Sequence, residues 1–343
     1  MPWTARWTRA RTSTPTRAVD GSSTTRIPAD QSSWAVYGKL YVDNQRFLWG
    51  ILEDAARPDP KRTPTQQKIG DHFAACMDEA AIERAGITPL QPDLERIERL
   101  KTKQDLALLV GDLHARATNG NMLFGSGAEQ DARDASTMIA ALYAGGLGLP
   151  DRDYYVKDDP KFVENREHYV AHIASLFELL GTTPPTALKQ AKVVLRIETQ
   201  LAKASLTRVE MRDPYKIYHR ETLDSLRKMA PAFAWDRYFE ATHLAPTPWL
   251  NVAEPAFVTE LNARLQNETL DDLKSYLRWT LLAATAPYLS KAFVDEDFAF
   301  NRAYLRGVKE QKPRWKRCVS AWLTRNSVRR SVRNSSRASF PRA

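Results

Sequence analysis

Gly145-Gly146-Leu147-Gly148-Leu149-Pro150-Asp151-Arg152-Asp153-Tyr154-Tyr155 is the stretch whose reading decides the fold. Its three glycines admit backbone angles closed to other residues, and Pro150 ends whatever runs into it. Asp151 and Asp153 carry short side chains that close turns onto their own backbone. A long helical pattern resumes after Pro160. The stretch therefore reads as a hinge between two structured segments. Glycine-rich runs also cradle phosphate, but that chemistry needs a strand before the glycines and a helix opening directly from them. Here Pro150 and the Asp-Arg-Asp-Tyr-Tyr segment intervene, so the turn is the better reading.

On either side, apolar stripes alternate with helix breakers. Ser32 or Ser33 is placed to cap a helix running to about Ala56. Trp34, Tyr37, Tyr41, Phe47, Leu48, Ile51 and Leu52 have the spacing of a buried face on it. Pro64 opens a second helix ending near Gly86, with Ile69, Phe73, Cys76 and Met77 on one stripe. Residues 91–117 form one or two more, with Leu106, Leu109, Val110 and Leu113 inward. Short apolar runs at Met122–Phe124 and Thr137–Leu142, set between turn residues, read as two strands. Downstream, helices are expected at 161–180 (closed by Gly181), from Pro184 to about Ala204, and from a Thr222 cap to Met229. Others are expected at 232–242, 254–266, 270–285 and 295–310, the last stopped by Pro313.

The net charge of +9 is not spread along the chain. Residues 1–29 carry +4 and residues 321–343 carry +6, which leaves 30–320 at −1. Basic ends can hold phosphate backbones without specificity. Solvated, disordered ends are the better reading, and nucleic-acid association is the weaker alternative. No run of about 18 apolar residues is long enough to span a bilayer. The opening Met1-Pro2-Trp3-Thr4-Ala5-Arg6 has no apolar core of a secretory signal, so the cytoplasm is the default location and the location is otherwise open.

Catalytic signals are sparse. Zinc peptidase chemistry needs His-Glu-x-x-His on a helix, two imidazoles for the metal and a glutamate as general base, and this motif does not occur in the sequence. The nearest pattern is His168-Tyr169-Val170-Ala171-His172, with Glu164 one turn earlier. Tyr169 occupies the position of the base, so these read as helix-surface histidines. His72, His114, His219 and His243 show no ligand spacing. Asp158-Asp159 and Asp295-Glu296-Asp297 read as helix-start acids. Ser126, Ser205 and Ser290 lack the Gly-x-Ser-x-Gly elbow. Trp34, Trp49, Trp235, Trp279 and Trp315 read as core aromatics. Cys76 and Cys318 are too few for a structural zinc site, and sequence alone does not pair them.

The turn also carries a resemblance. It is similar to the signature in the N-terminal region of the neprilysin-like zinc metallopeptidases, which include endothelin-converting enzyme and bacterial oligopeptidases. Further segments agree in order: Ile27-Pro28-Ala29-Asp30-Gln31 with Trp34, Phe73-Ala74-Ala75-Cys76-Met77-Asp78, Ala202-Lys203-Ala204-Ser205, Arg212-Asp213-Pro214 and Pro313-Arg314-Trp315-Lys316-Arg317-Cys318. The resemblance implies a mainly α, multi-helix lobe over residues 27–319 with one small β-hairpin. It implies a Cys76–Cys318 pair, disulfide-bonded where the compartment is oxidising. It assigns zinc to a catalytic domain absent from this sequence, so no cofactor and no catalytic residue is expected in this chain.

Within the family, two lobes enclose a cavity that admits short peptides, and this lobe acts as lid and size filter. The implied partner is the zinc lobe, with peptides bound only by a complete enzyme. Complete relatives are secreted, periplasmic or membrane-anchored. A separately encoded zinc lobe for which this chain is a non-catalytic binding module is the alternative. Residues 1–26 lack the family's aromatic Cys-Gly-Gly-Trp segment and are expected to be a disordered, out-of-frame or misassigned start. Residues 320–343 are expected to be a frameshifted basic tail, because Arg329-Arg330-Ser331-Val332 is what a shifted frame of Glu-Ala-Leu-Gly can encode.

Overall fold

A computed structural model describes residues 26–116, 121–242 and 248–321. Helices α1 (Val36–Ala56), α2 (Pro64–Met77), α3 (Glu79–Ala85), α4 (Gln91–Glu98) and α5 (Asp105–Ala115) lead into strands β1 (Phe124–Asp131) and β2 (Asp134–Ala144). After the glycine turn come α6 (Asp153–Val156), α7 (Pro160–Leu179) and α8 (Pro184–Ala204). Then follow β3 (Arg220–Glu221), α9 (Leu223–Met229), α10 (Trp235–Thr242) and β4 (Leu250–Val252). Last come α11 (Pro255–Asn267), α12 (Leu270–Thr285) and α13 (Lys291–Asp297), which runs directly into a π-helical segment, Phe298–Tyr304. Residues 314–321 are helical as well. No described helix is long and apolar enough to cross a membrane.

Local chemistry explains most boundaries. Pro64, Pro160, Pro184 and Pro255 each stand in a first turn, where a missing N–H costs nothing. Thr63 and Gln66 form a capping box on α2, and the Thr222 hydroxyl accepts from the Ser225 N–H to start α9. At the end of α7, the Gly181 N–H donates to Glu178 and the Thr182 N–H to Phe177, which satisfies the last carbonyls.

Four expectations are corrected. Ala35, not a serine, occupies the N-cap of α1, with no side-chain cap bond. The α1 stripe is mostly uncovered: Tyr37 is 85% exposed and Phe47 71%, whereas Leu52 is buried. The second predicted helix breaks at Asp78, whose carboxylate accepts from the Ala81 N–H and restarts the chain as α3. The final helix starts at Lys291 rather than Asp295.

The expected strand at Met122–Phe124 touches only the first residue of β1, which runs on through the polar residues to Asp131, whereas Thr137–Leu142 lies within β2. The two strands pair antiparallel in register from Phe124↔Ala144 to Gln130↔Met138, with an irregularity at Asp131. The sheet is larger than a hairpin. Its order is β1-β2-β4-β3, with β4 parallel to β2 (Ala140↔Leu250) and β3 antiparallel to β4.

Two apolar cores are separate. The main one gathers α4, α5, α7 to α12 and the hairpin around Phe124, Tyr169, Trp235 and Trp279. The smaller one joins Leu52 of α1 and Phe73 of α2 to Cys318 and Val319, with Trp49 and Trp315 stacked at 4.8 Å between ring centroids. Cys76 and Cys318 are disulfide-bonded there, Cα atoms 5.8 Å apart and 242 residues distant in sequence. Lys316 closes the same cluster onto Asp30 at 2.6 Å. The basic ends expected to be disordered, residues 1–26 and 320–343, lie almost wholly outside the described residues.

Candidate functional site

Helix α8 turns Val194, Ile197, Leu201 and Ala202 inward, and Glu198 lies on the same face with 0% exposure. A buried carboxylate survives only where donors surround it. Here the Tyr155 hydroxyl of α6 donates at 2.6 Å and the Tyr169 hydroxyl of α7 at 2.8 Å. The Gly148 N–H of the turn donates at 3.3 Å. The Trp279 indole N–H of α12 is shared between Glu198 (3.1 Å) and the Tyr169 oxygen (3.0 Å). The Leu149 N–H donates in turn to the Tyr155 oxygen at 2.8 Å. The donors all point inward, from N–H through O–H to the carboxylate. Burial nevertheless pushes Glu198 up to about 7, with the four donors pulling the other way. Burial, and then the charge of Glu198, push both tyrosines well above their usual range, so they stay donors.

These contacts hold the glycine turn. Gly146 has φ +72°, and a Cβ on it would stand 2.2 Å from the Tyr276 hydroxyl, which donates to the Gly146 carbonyl at 2.8 Å. A Cβ on Gly148 would meet the Tyr169 hydroxyl at 1.9 Å. Beyond the glycines, the Asp153 N–H closes onto Asp151 at 2.8 Å, and Asp151 pairs with Arg208 at 2.9 Å. Arg152 donates to the Ala202 carbonyl at 3.2 Å, and Tyr154 packs edge-on against Phe162. Gly145 is buried and Pro150 exposed. The turn reading is right in shape, but the turn is no hinge. It is bonded to α7, α8 and α12 and cannot swivel without breaking that network.

Beside the turn lies a cavity of about 280 Å³, lined by Gly146, Gly148, Tyr169, His172, Glu198 and Trp279 among others. His172 is buried, stacks on Phe300 and donates Nδ1–H to Glu296 at 2.9 Å. His168, 53% exposed in its side chain, stands over Tyr304 with Glu164 3.8 Å away. The two rings therefore engage different neighbours and do not converge. Among the described residues there is no group of three or more His, Cys, Asp or Glu placed to hold a metal ion.

Other candidates have local partners. Ser205 bonds back to Leu201, Ser126 is hydrogen-bonded to Tyr238, and Ser290 is the N-cap residue of α13. Asp159 is at an N-cap but makes no cap bond. Asp295, Glu296 and Asp297 close α13 rather than open it. Trp235 and Trp279 are core residues, and Trp34 is half-buried. His114, read as having no ligand role, is half-buried against Tyr238 and the Met122 carbonyl, and loss of solvent around its ring lowers it to about 4. His243 lies outside the described residues.

Sequence reading missed Glu198, the residue that ties the turn together. The signal was available: Val194, Ile197, Glu198 and Leu201 follow i, i+3, i+4, i+7, so the glutamate sits on the stripe that must be buried.

Known proteins are similar to this chain in sequence and fold. The chain is 29% identical over 314 residues to human (Homo sapiens) endothelin-converting enzyme 1, covering 86% of this chain and 39% of that enzyme. The mouse (Mus musculus) enzyme is 27% identical over 312 residues, with the same coverage. The crystal structure of the Mycobacterium tuberculosis zinc metalloprotease Zmp1 in complex with inhibitor superposes with a TM-score of 0.82 at 29% identity, over 88% of this chain and 46% of that one. PepO from Lactobacillus rhamnosis shares the fold, with a TM-score of 0.73 at 19% identity. The chain thus spans less than half the length of these relatives. Residues 21–328 match the N-terminal model of peptidase family M13, and the chain belongs to that family.

Proposed function

We propose that this chain is the N-terminal lid and size-filter portion of an M13 zinc metalloendopeptidase acting on short peptides, and that the zinc-binding lobe is contributed by polypeptide outside these residues. The observation that carries this reading is the uncovered face of α1. Val36, Tyr37, Leu40, Tyr41, Phe47 and Ile51 lie on one helix and are all half or more exposed, apart from Tyr41 at 45%. A contiguous apolar face of this kind marks a surface that another body covers. The relatives' greater length supplies such a body, and their printed names, zinc metalloprotease and converting enzyme, supply the chemistry. On this reading the chain by itself hydrolyses nothing, because the His-Glu-x-x-His motif is not in its sequence.

The test has two arms. The purified chain is incubated with zinc and a fluorogenic oligopeptide, and is separately mixed with an M13 polypeptide that carries His-Glu-x-x-His. No chelator-sensitive hydrolysis by the chain alone, and a complex with the zinc lobe that Tyr37→Glu with Phe47→Glu abolishes, are the expected results. Chelator-sensitive hydrolysis by the chain alone, or a complex indifferent to the two substitutions, would overturn it.

A further inference from the structure

Positive charge within the folded body is gathered into one segment. Residues 302–317 carry seven Arg and Lys against a single Glu, a net of +6. Residues 30–320 together sum to −1, so the rest of that span sums to −7. Local chemistry turns the segment and then anchors it. Gly307, at φ +66°, follows the winding that carries Arg302, and the Val308 N–H donates to the Arg302 carbonyl at 3.0 Å. The Lys309 and Glu310 N–H groups then both donate to the Ala29 carbonyl, at 3.1 and 3.0 Å, which lays the chain beside Asp30.

The result is a cluster of cations with few acids to answer them. Lys316 holds Asp30 at 2.6 Å. Arg302, Arg306, Lys309 and Lys312 make no ion pair among the described residues. Arg306 and Lys309 are exposed, and Arg302 and Lys312 are half-buried. Burial, and then the charges of Arg302, Lys316 and Arg306, hold the Lys312 ammonium below its usual range, while Asp30 pulls the other way. Like charges therefore stand within reach of one another around Lys312. Of the other carboxylates, Asp297 accepts from Asn301 at 2.8 Å, and Glu310 is exposed. Arg314 donates instead to the Cys76 carbonyl at 2.7 Å, and Arg317 has the charges of Glu79 and Asp295 in reach.

Clustered like charges repel, and a multivalent anion relieves that repulsion where a monovalent one relieves little of it. Guanidinium forks together with an ammonium group are a donor set that suits phosphate oxygens. We infer that Arg302, Arg306 and Lys312 form a binding site for a phosphate group, with Lys309 and Lys316 adding to its positive field. A free phosphate compound and a lipid headgroup present the same group. The site is independent of the peptidase reading, since it uses no residue of the uncovered α1 face.

Calorimetric titration of the whole 343-residue chain with sodium pyrophosphate tests it, at about 20 mM salt where screening is weak. Acetate is the monovalent control. Saturable binding of pyrophosphate is expected, with none of acetate at the same concentration. Arg306→Gln with Lys312→Gln is expected to weaken pyrophosphate binding roughly tenfold. Arg329→Gln with Arg330→Gln, in the basic tail, is expected to leave it unchanged. Phosphatidylcholine vesicles containing phosphatidic acid tell the source: sedimentation with the parent that the Arg306, Lys312 variant loses adds the lipid headgroup, and otherwise the free compound is the ligand. No saturable binding of pyrophosphate, equal binding of acetate, an Arg306, Lys312 variant that titrates like the parent, or a tail variant that loses as much would overturn the inference. If Lys312→Gln does not fold, Arg306→Gln decides alone, because Arg306 is exposed.

Discussion

Tyr155 and Glu198 stand 43 residues apart in sequence and meet at 2.6 Å, hydroxyl to carboxylate, in the interior of the protein. Around that bond the Tyr169 hydroxyl, the Trp279 indole and the Gly148 amide share the same acceptor. Removing the acceptor strands several buried donors at once, whereas removing one donor leaves the others in place. Glu198→Ala is therefore expected to cost roughly 3–5 kcal/mol and Tyr155→Phe only about 1 kcal/mol. Urea unfolding of both variants checks the order, and equal losses would contradict it.

The pH dependence contains two opposed contributions. Glu198 is raised from 4.5 to about 7, so its contribution is full below about pH 4.5 and is lost as pH rises through 7. His114 is lowered from 6.5 to about 4, so its contribution is full above about pH 6.5 and is lost as pH falls through 4. Each amounts to roughly 3 kcal/mol in the linkage relation, and between about pH 4.5 and 6.5 they oppose one another. A nearly level stability is expected there for the parent chain. Glu198→Gln should unmask a rise with pH, and His114→Gln a fall. Denaturant midpoints at half-unit pH steps read both slopes directly.

Gly148→Ala places a methyl carbon where the Tyr169 hydroxyl now sits, and Glu198 pins that hydroxyl. A loss of about 2–3 kcal/mol is expected, the scale of forced overpacking. Tyr169→Phe removes the obstructing oxygen. The double variant should therefore be less destabilised than the sum of the two singles, a coupling that a double-mutant cycle measures.

Opening the disulfide should act locally first. The loop between Cys76 and Cys318 spans 242 residues, for which the chain-entropy relation gives about 5 kcal/mol. The smaller core shares no residue with the larger one. In a Cys76→Ser, Cys318→Ser chain, amide exchange in α1, α2 and 314–321 should accelerate far more than in α8. Uniform acceleration across both cores would show that they unfold as one unit.

The parts of this fold that were legible in sequence are those fixed by near neighbours. Thr222 and Ser225 are three residues apart, and the cap they form gave the start of α9. Leu106, Leu109, Val110 and Leu113 needed only the helical period to be placed inward. Periodicity failed at Tyr37 and Phe47, because it reports an apolar face without reporting what covers that face. Strands β3 and β4 are two and three residues long, and β4 is held by pairing to β2 more than a hundred positions away, so no local pattern announced them. The site was half legible. The glycines and tyrosines of the turn stood out by composition, but the glutamate that gathers them belongs to a helix 43 residues past Tyr155 and looks locally like a surface acid.

The smaller core is assembled from the two ends of the described chain, α1 and α2 at one end and 314–321 at the other. A polypeptide emerges from the ribosome at about 5–20 residues per second, so Phe73 and Cys76 wait roughly tens of seconds for Trp315 and Cys318. During that interval the larger body can close around Glu198 while the first two helices still present uncovered apolar faces and an unpaired thiol. Nascent chains halted before residue 314 should therefore be the form that chaperones and thiol oxidants encounter, and closure of the Cys76–Cys318 bond records that synthesis has passed that point.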